Sequence, residues 1–247
     1  MKFKFYIEYD GTNFSGWQKQ KNAKTIQGTL IEAIENVLSE NDKKDEFIDF
    51  QGSGRTDSGV HAIEQVAHLE CKTKLSPSQI RQKVNDKLPH SINISKVEKA
   101  DDRFHARHSA KSRQYVYKLS KKRNPFQRKF VWTIKDNLNI LDMQEAAKSL
   151  IGKKDFISFS DKPSKEKSTI VVIESVTIEE SDEMVLISIK ASHFLWKMVR
   201  RIVGVLVEIG KGTLDTNFID IAIEEHIPEV SAYSAPSMGL FLQKVEY

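Results

Sequence analysis

The chain has 247 residues, 39% of them hydrophobic and 29% charged, with a formal net charge of +4; that is enough for one large domain or two small ones with a real core, and too apolar for a disordered segment. A single cysteine, Cys71, excludes an internal disulfide and argues against a cysteine-built zinc site. No N-terminal apolar run has the form of a signal peptide, and the most apolar stretch, residues 194–209, is short for a membrane span and interrupted by Lys197, Arg200 and Arg201, so a cytoplasmic protein with no membrane contact is expected.

In chain order, Lys2 to Tyr9 alternates, with Phe3, Phe5, Ile7 and Tyr9 on one face, which predicts a strand with one buried side. Asp10-Gly11 marks a turn. Thr25 can cap a helix whose Ile26, Leu30, Ala33, Ile34, Val37 and Leu38 form an apolar stripe. Strands over 47–50 and 65–71 flank a glycine-rich loop. Ser76-Pro77-Ser78-Gln79 has the form of a capping box with proline at the first helical position, leading into a helix that buries Ile80, Val84 and Leu88. Residues 92–97 read as another strand.

Strands follow at 114–119 and 130–134, and Asp142 with Glu145 predicts a helix start. Residues 161–168 read as a polar loop. Residues 170–178 and 184–191 can pair across Ser181-Asp182. A helix over 194–209, a further one from Asp215 and a closing strand at 240–245 complete the pattern. Strands with interspersed helices predict an α+β fold with a mostly antiparallel sheet flanked by helices. The acidic Asp101-Asp102 gives way there to a basic run, so the boundary falls near 100–110, giving halves of 1–105 and 106–247.

The most informative segment is Gly54-Arg55-Thr56-Asp57-Ser58-Gly59-Val60-His61-Ala62. Glycines at both ends permit tight backbone geometry and close approach of a ligand, so the loop can hold a carboxylate and a guanidinium at fixed positions. A hairpin turn with a surface ion pair fits the same composition. As a nucleophile, the Asp57 carboxylate needs no activating base. Glycosidase chemistry would need a second carboxylate, for which Asp49, Glu64 and Glu70 are candidates by sequence proximity alone. Gly52-Ser53-Gly54 lacks the lysine and hydroxyl of a phosphate loop, and the histidines, His105 and His108 included, complete no metal motif, so neither nucleotide nor metal binding is expected.

Between Arg103 and Lys129 lie ten lysines and arginines and no acid, a pattern that attracts polyanions. Phe104, Tyr115, Tyr117 and Phe126 are interleaved and could stack on bases or fill a core. Arg107, Lys111, Arg113, Lys118, Lys121, Lys122 and Arg123 are the candidate nucleic-acid contacts. Lys197, Arg200 and Arg201 share one turn of an otherwise apolar helix and need either solvent or an anionic partner, for which Asp57 is a candidate.

Together these residues resemble a known family. The 54–62 segment resembles the catalytic motif of the tRNA pseudouridine synthase A family. Glu8-Tyr9-Asp10-Gly11-Thr12 with Phe14-Ser15-Gly16-Trp17-Gln18 resembles its N-terminal signature, and Phe104-His105-Ala106-Arg107, Ser109-Ala110 and Tyr115-Val116-Tyr117 its central one. Asp155-Phe156 with Ser158-Phe159, Met198-Val199-Arg200-Arg201-Ile202-Val203-Gly204, and Ala235-Pro236 with Gly239-Leu240-Phe241-Leu242 follow in the family's order. The resemblance implies two similar pseudouridine-synthase half-domains around a basic central cleft, and a homodimer that isomerises uridine to pseudouridine in the anticodon stem-loop of tRNA without cofactor or metal. It implies Asp57 as nucleophile, Arg55 filling the space left by a flipped nucleotide, Tyr115 stacking on the uracil, Arg200 paired with Asp57, and Leu242 packing the pocket floor. A non-catalytic RNA-binding protein and a glycosylase that releases free base are the rival readings. The first predicts binding without turnover, the second free uracil.

Overall fold

In the computed structural model, residues 1–161 and 168–247 are described. The expected 161–168 loop therefore lies, for its central six positions, outside the described residues. The chain divides into two compact units, residues 1–111 with 242–247, and residues 112–241.

The first unit contains β1 (Lys2–Tyr9), α1 (Ile26–Asn41), β2 (Glu46–Gly52), β3 (His61–Lys72), α2 (Pro77–Asn85) and β4 (Ile92–Ala100). Its strands run in the order β4-β1-β3, with β2 also on β3, all antiparallel. Alternation decides the faces: Phe3, Phe5, Ile7 and Tyr9 are buried, while Lys2, Lys4 and Tyr6 line the opposite face. Thr25 caps α1 by accepting from the Gly28 N–H, and Ser76 and Gln79 form both bonds of the capping box on α2. That helix ends at Asn85, so Leu88 falls in the following turn and is only half-buried. Phe5, Phe50, Trp17 and Tyr9 form an aromatic row through the core, with successive ring centroids 5.7, 6.3 and 6.1 Å apart.

The second unit contains β5 (Ser112–Ser120), β6 (Trp132–Thr133), α3 (Ile140–Lys148), β7 (Gly152–Asp155), β8 (Ile170–Glu180), β9 (Met184–Ala191), α4 (Met198–Gly210) and α5 (Phe218–Glu224). The strand order is β5-β9-β8-β7, antiparallel throughout, with the two-residue β6 parallel to β5. A last strand, β10 (Leu240–Glu246), begins here and passes at Leu242 into the first unit, where it adjoins β3.

The structure differs from the sequence reading at several places. Asn139, not Asp142, caps α3: its side chain accepts from the N–H groups of Leu141 and Asp142, and Asp142 lies in the first turn. The apolar 194–209 stretch is not one helix. Lys197 has φ 62°, the only non-glycine residue with positive φ among those described, and α4 begins after it. The expected strand at 130–134 shrinks to Trp132–Thr133, and α5 starts at Phe218 rather than at Asp215. The division falls at 111 rather than 105, because residues 104–111 are tied into the first unit. The Ala106 N–H donates to His68 Nδ1 at 3.2 Å, the Tyr247 hydroxyl to the Ala106 carbonyl at 2.7 Å, and the Lys111 N–H to the Glu246 carbonyl at 2.8 Å.

Candidate active site

The 53–60 loop leaves β2 and is fixed by hydrogen bonds within the first unit. The Ser53 hydroxyl donates to Gln65 Oε1 at 2.6 Å, and the Gln65 amide donates to the Gly54 carbonyl at 3.1 Å. Tyr9 and Thr56 share a hydrogen bond between hydroxyls at 2.8 Å, so the aromatic row ends on the residue before Asp57. Burial pushes the Tyr9 phenol well above its ordinary pKa, which keeps it neutral. The Trp17 N–H donates to the Thr56 carbonyl at 3.0 Å, and the Gly59 N–H and the Ser58 hydroxyl both donate to the Phe14 carbonyl.

Two glycines make this close approach possible. A Cβ at Gly11 would sit 2.0 Å from the Val60 carbonyl oxygen, and one at Gly16, where φ is 85°, would sit 2.6 Å from the Thr56 carbonyl oxygen. The Gly11 N–H donates to His61 Nδ1 at 3.1 Å, with Asp10 Oδ1 3.2 Å from the same nitrogen. Segment 9–17 is therefore the wall against which the loop is cast. Asp57 is half-buried on this clamped backbone, its own carbonyl accepting from the Val60 N–H at 3.1 Å. Arg55 is exposed and makes no side-chain hydrogen bond or ion pair among the described residues.

Of the suggested second carboxylates, Asp49 is engaged by the Gln51 amide at 2.7 Å and lies 3.7 Å from His68 Nε2, while Glu70 lies 3.9 Å from Lys2 Nζ. These contacts occupy the two acids away from the loop. No group of three or more histidine, cysteine or acidic side chains suited to a metal occurs among the described residues, and no helix among them is long and apolar enough to cross a membrane.

In the second unit, Tyr115 on β5 faces Ile189 on β9, its ring edge-on to Phe194 with centroids 5.0 Å apart and only 9% of the residue exposed. Arg200 lies in the first turn of α4. Its Nε donates to the Ala235 carbonyl at 2.7 Å, and the Ala235 N–H donates back to the Arg200 carbonyl at 2.9 Å. Gly204 allows this docking, since a Cβ there would lie 1.4 Å from the Tyr233 carbonyl oxygen. Lys197 and Arg201 pair with Asp161, at 2.7 and 3.3 Å. Arg201 is 4% exposed, and burial draws its pKa down against the pull of Asp161. The left-handed backbone of Lys197, which costs a lysine about 1 kcal/mol, is thus pinned by its own side chain on Asp161.

The seven candidate nucleic-acid contacts separate into groups. Arg107, Lys111 and Arg123 are exposed. Arg113 donates to the Ser192 carbonyl at 3.0 Å, and Lys118 lies over the Phe241 ring at 4.2 Å, with its pKa lowered by burial. Lys121 pairs with Glu180 at 2.6 Å and Lys122 with Glu183 at 3.5 Å, so a run free of acids in sequence meets them from the β8–β9 turn. Leu242 is fully buried in the first unit. The Tyr9–Thr56 bond, the Gln65 clamp and the role of Asp161 were not legible in the sequence; of these residues only Tyr9, in the N-terminal signature, and Thr56, in the 54–62 segment, carried a signal.

The chain is similar to known proteins over nearly its whole length. The sequence pattern of a family described as tRNA pseudouridine synthase matches residues 6–109 and 146–247. A Bacillus cereus protein named tRNA pseudouridine synthase A 2 is 40% identical over 99% of both chains. Proteins named tRNA pseudouridine synthase A from a Thermoanaerobacter species and from Clostridium botulinum are each 37% identical, covering 98% and 99% of this chain and 97% and 98% of their own.

Proposed function

The chain belongs to the tRNA pseudouridine synthase family, and from that premise we propose that it is an isomerase acting on tRNA in the anticodon stem-loop, with Asp57 as nucleophile. The carboxylate adds to an electrophilic carbon of the target nucleotide. The N1–C1′ bond breaks, the C5–C1′ bond forms, the bond to the carboxylate breaks to return Asp57 as a free anion, the C5 proton leaves and N1 is protonated, so the product has the mass of the substrate. Neither oxidant nor co-reactant is needed.

The observation that carries this reading is the convergence of two separate family signatures on one loop: residues 9–17 supply the hydrogen bonds and glycine clearances that fix the backbone around Asp57. Exposed Arg55 would occupy the space left by the extruded nucleotide, offsetting the few kcal/mol that unstacking costs. Tyr115 would stack on the uracil, with Phe194 holding its ring edge-on; Arg200 would pair with Asp57, and Leu242 would floor the pocket. The family precedent further suggests two similar half-domains around a basic cleft, and a cytoplasmic homodimer.

The test is Asp57→Ala and Asp57→Asn assayed on unmodified tRNA. Carbodiimide mapping is expected to show no pseudouridine for either variant, with tRNA affinity within about twofold of wild type. Pseudouridine at the wild-type rate from either variant overturns the nucleophile assignment, and free uracil from the wild type identifies a glycosylase instead.

A further inference from the structure

The segment between β5 and β6 carries Phe126, which is 92% exposed, the most exposed of the large apolar side chains described. A lone exposed phenylalanine on a loose tail would mean little; this one sits on a built turn. The Asn124 side chain accepts from the Phe126 N–H at 3.0 Å, and the Asn124 carbonyl accepts from the Gln127 N–H at 3.3 Å. Pro125 fixes the backbone angle between them. The Phe130 N–H closes onto the Gln127 carbonyl at 2.8 Å.

The base of the segment is equally fixed. The Ser120 hydroxyl donates to the Lys122 carbonyl at 2.6 Å, the Lys121 N–H donates to the Glu183 carbonyl at 2.9 Å, and the two lysines hold Glu180 and Glu183. On the far side, the Phe130 ring packs on Phe241 with centroids 6.4 Å apart. The acids are thus consumed at the base, while Arg123 and Arg128, exposed and without a carboxylate partner among the described residues, lie on either side of Phe126 in sequence.

We propose that Phe126 is a base-stacking contact for tRNA, taking an unpaired nucleotide other than the one isomerised while the flanking arginines meet its phosphates. The occupant follows from the chemistry: a π face presented outward between unpartnered cations, with no acid from 123 to 129, fits a flat base on an anionic backbone. An apolar protein partner would ask for a wider apolar surface than one ring. The proposal rests on the tRNA reading above and adds a second point of contact to it.

The experiment measures tRNA affinity and steady-state kinetics for Phe126→Ala, Phe126→Leu, Phe126→Tyr and Phe126→Trp. Alanine and leucine should each weaken binding and raise KM about tenfold, the size expected for one stacked base, with kcat unchanged. Tyrosine and tryptophan should restore both to within about twofold. A photo-crosslinking phenylalanine analogue at 126 should label an unpaired tRNA nucleotide. Wild-type affinity for the alanine variant overturns the proposal, as do equal behaviour of leucine and tyrosine or crosslinks to a second copy of the chain. Pseudouridine formation by the wild-type protein on the same tRNA is read separately, so failure at Phe126 leaves the isomerase reading standing, and failure of turnover does not imitate it.

Discussion

His68 is a ring kept neutral by its surroundings. It is 2% exposed, accepts the Ala106 N–H at Nδ1, and lies 4.7 Å from the His105 ring. Burial, and then the neighbouring His105, pushes its pKa down to about 4 from the ordinary 6.5. The unfolded chain therefore takes up a proton as pH falls through 6.5 while the native protein does not. Stability is complete above that pH and declines until pH 4, by at most about 3 kcal/mol. The urea midpoint should accordingly fall between pH 6.5 and 4, and His68→Asn, which keeps an acceptor for Ala106, should flatten that decline. A variant as pH-sensitive as wild type would show that His68 is not the group responsible. The 104–108 segment rides on this ring, so its attachment to the sheet is the part acid should loosen first.

Among the elements, α4 and the loop after β2 depend on glycines for different reasons. Gly204→Ala drives a methyl into the Tyr233 carbonyl, which is backbone and has no side chain to swing away. We expect a loss of about 3 kcal/mol or more, beyond ordinary overpacking, visible as a lowered thermal midpoint. Gly11→Ala meets the Val60 carbonyl within the candidate site. Turnover should there fall more than stability, because the loop can yield where the sheet cannot; equal losses at the two sites would contradict this. The periodic elements were legible because their signals are local. Alternation marked β1, and the Ser76–Gln79 pair marked the start of α2. The start of α4 was not, since nothing in the apolar run shows that Lys197 turns left-handed to reach Asp161. Asp10-Gly11 was legible as a turn, but not as clearance for a carbonyl about fifty residues away, because such a demand is set by packing between distant segments.

At the scale of the whole molecule, the one-sided charge of the 103–129 run overstates what is available to a phosphate backbone. Arg113 and Lys118 are committed within the fold, and Lys121 and Lys122 already hold carboxylates, though exposed pairs of that kind exchange readily. Arg103, Arg107, Lys111, Arg123, Arg128 and Lys129 are exposed, and with those two lysines exchangeable the run offers at most eight phosphate contacts. The log of tRNA affinity against the log of salt concentration should then fall with a slope no steeper than about −7. A flat line would remove phosphate contact from the account, and a slope near about −9 would mean that Arg113 and Lys118 are released on binding. The sequence could show how many cations the run carries but not how many are spent, because the acids that spend them arrive from another hairpin. The route of β10 has a different consequence. Residues 242–247 complete a unit whose other members lie in the first 111, so during synthesis the half that carries Asp57 waits for more than a hundred intervening residues before its sheet can be finished. Until then the edge of β3 that β10 adjoins stays open to pairing with other chains. The scaffold around Asp57 thus reaches its final form only once residues 242–247 have left the ribosome, and a nascent chain stalled before them is the form most prone to aggregate.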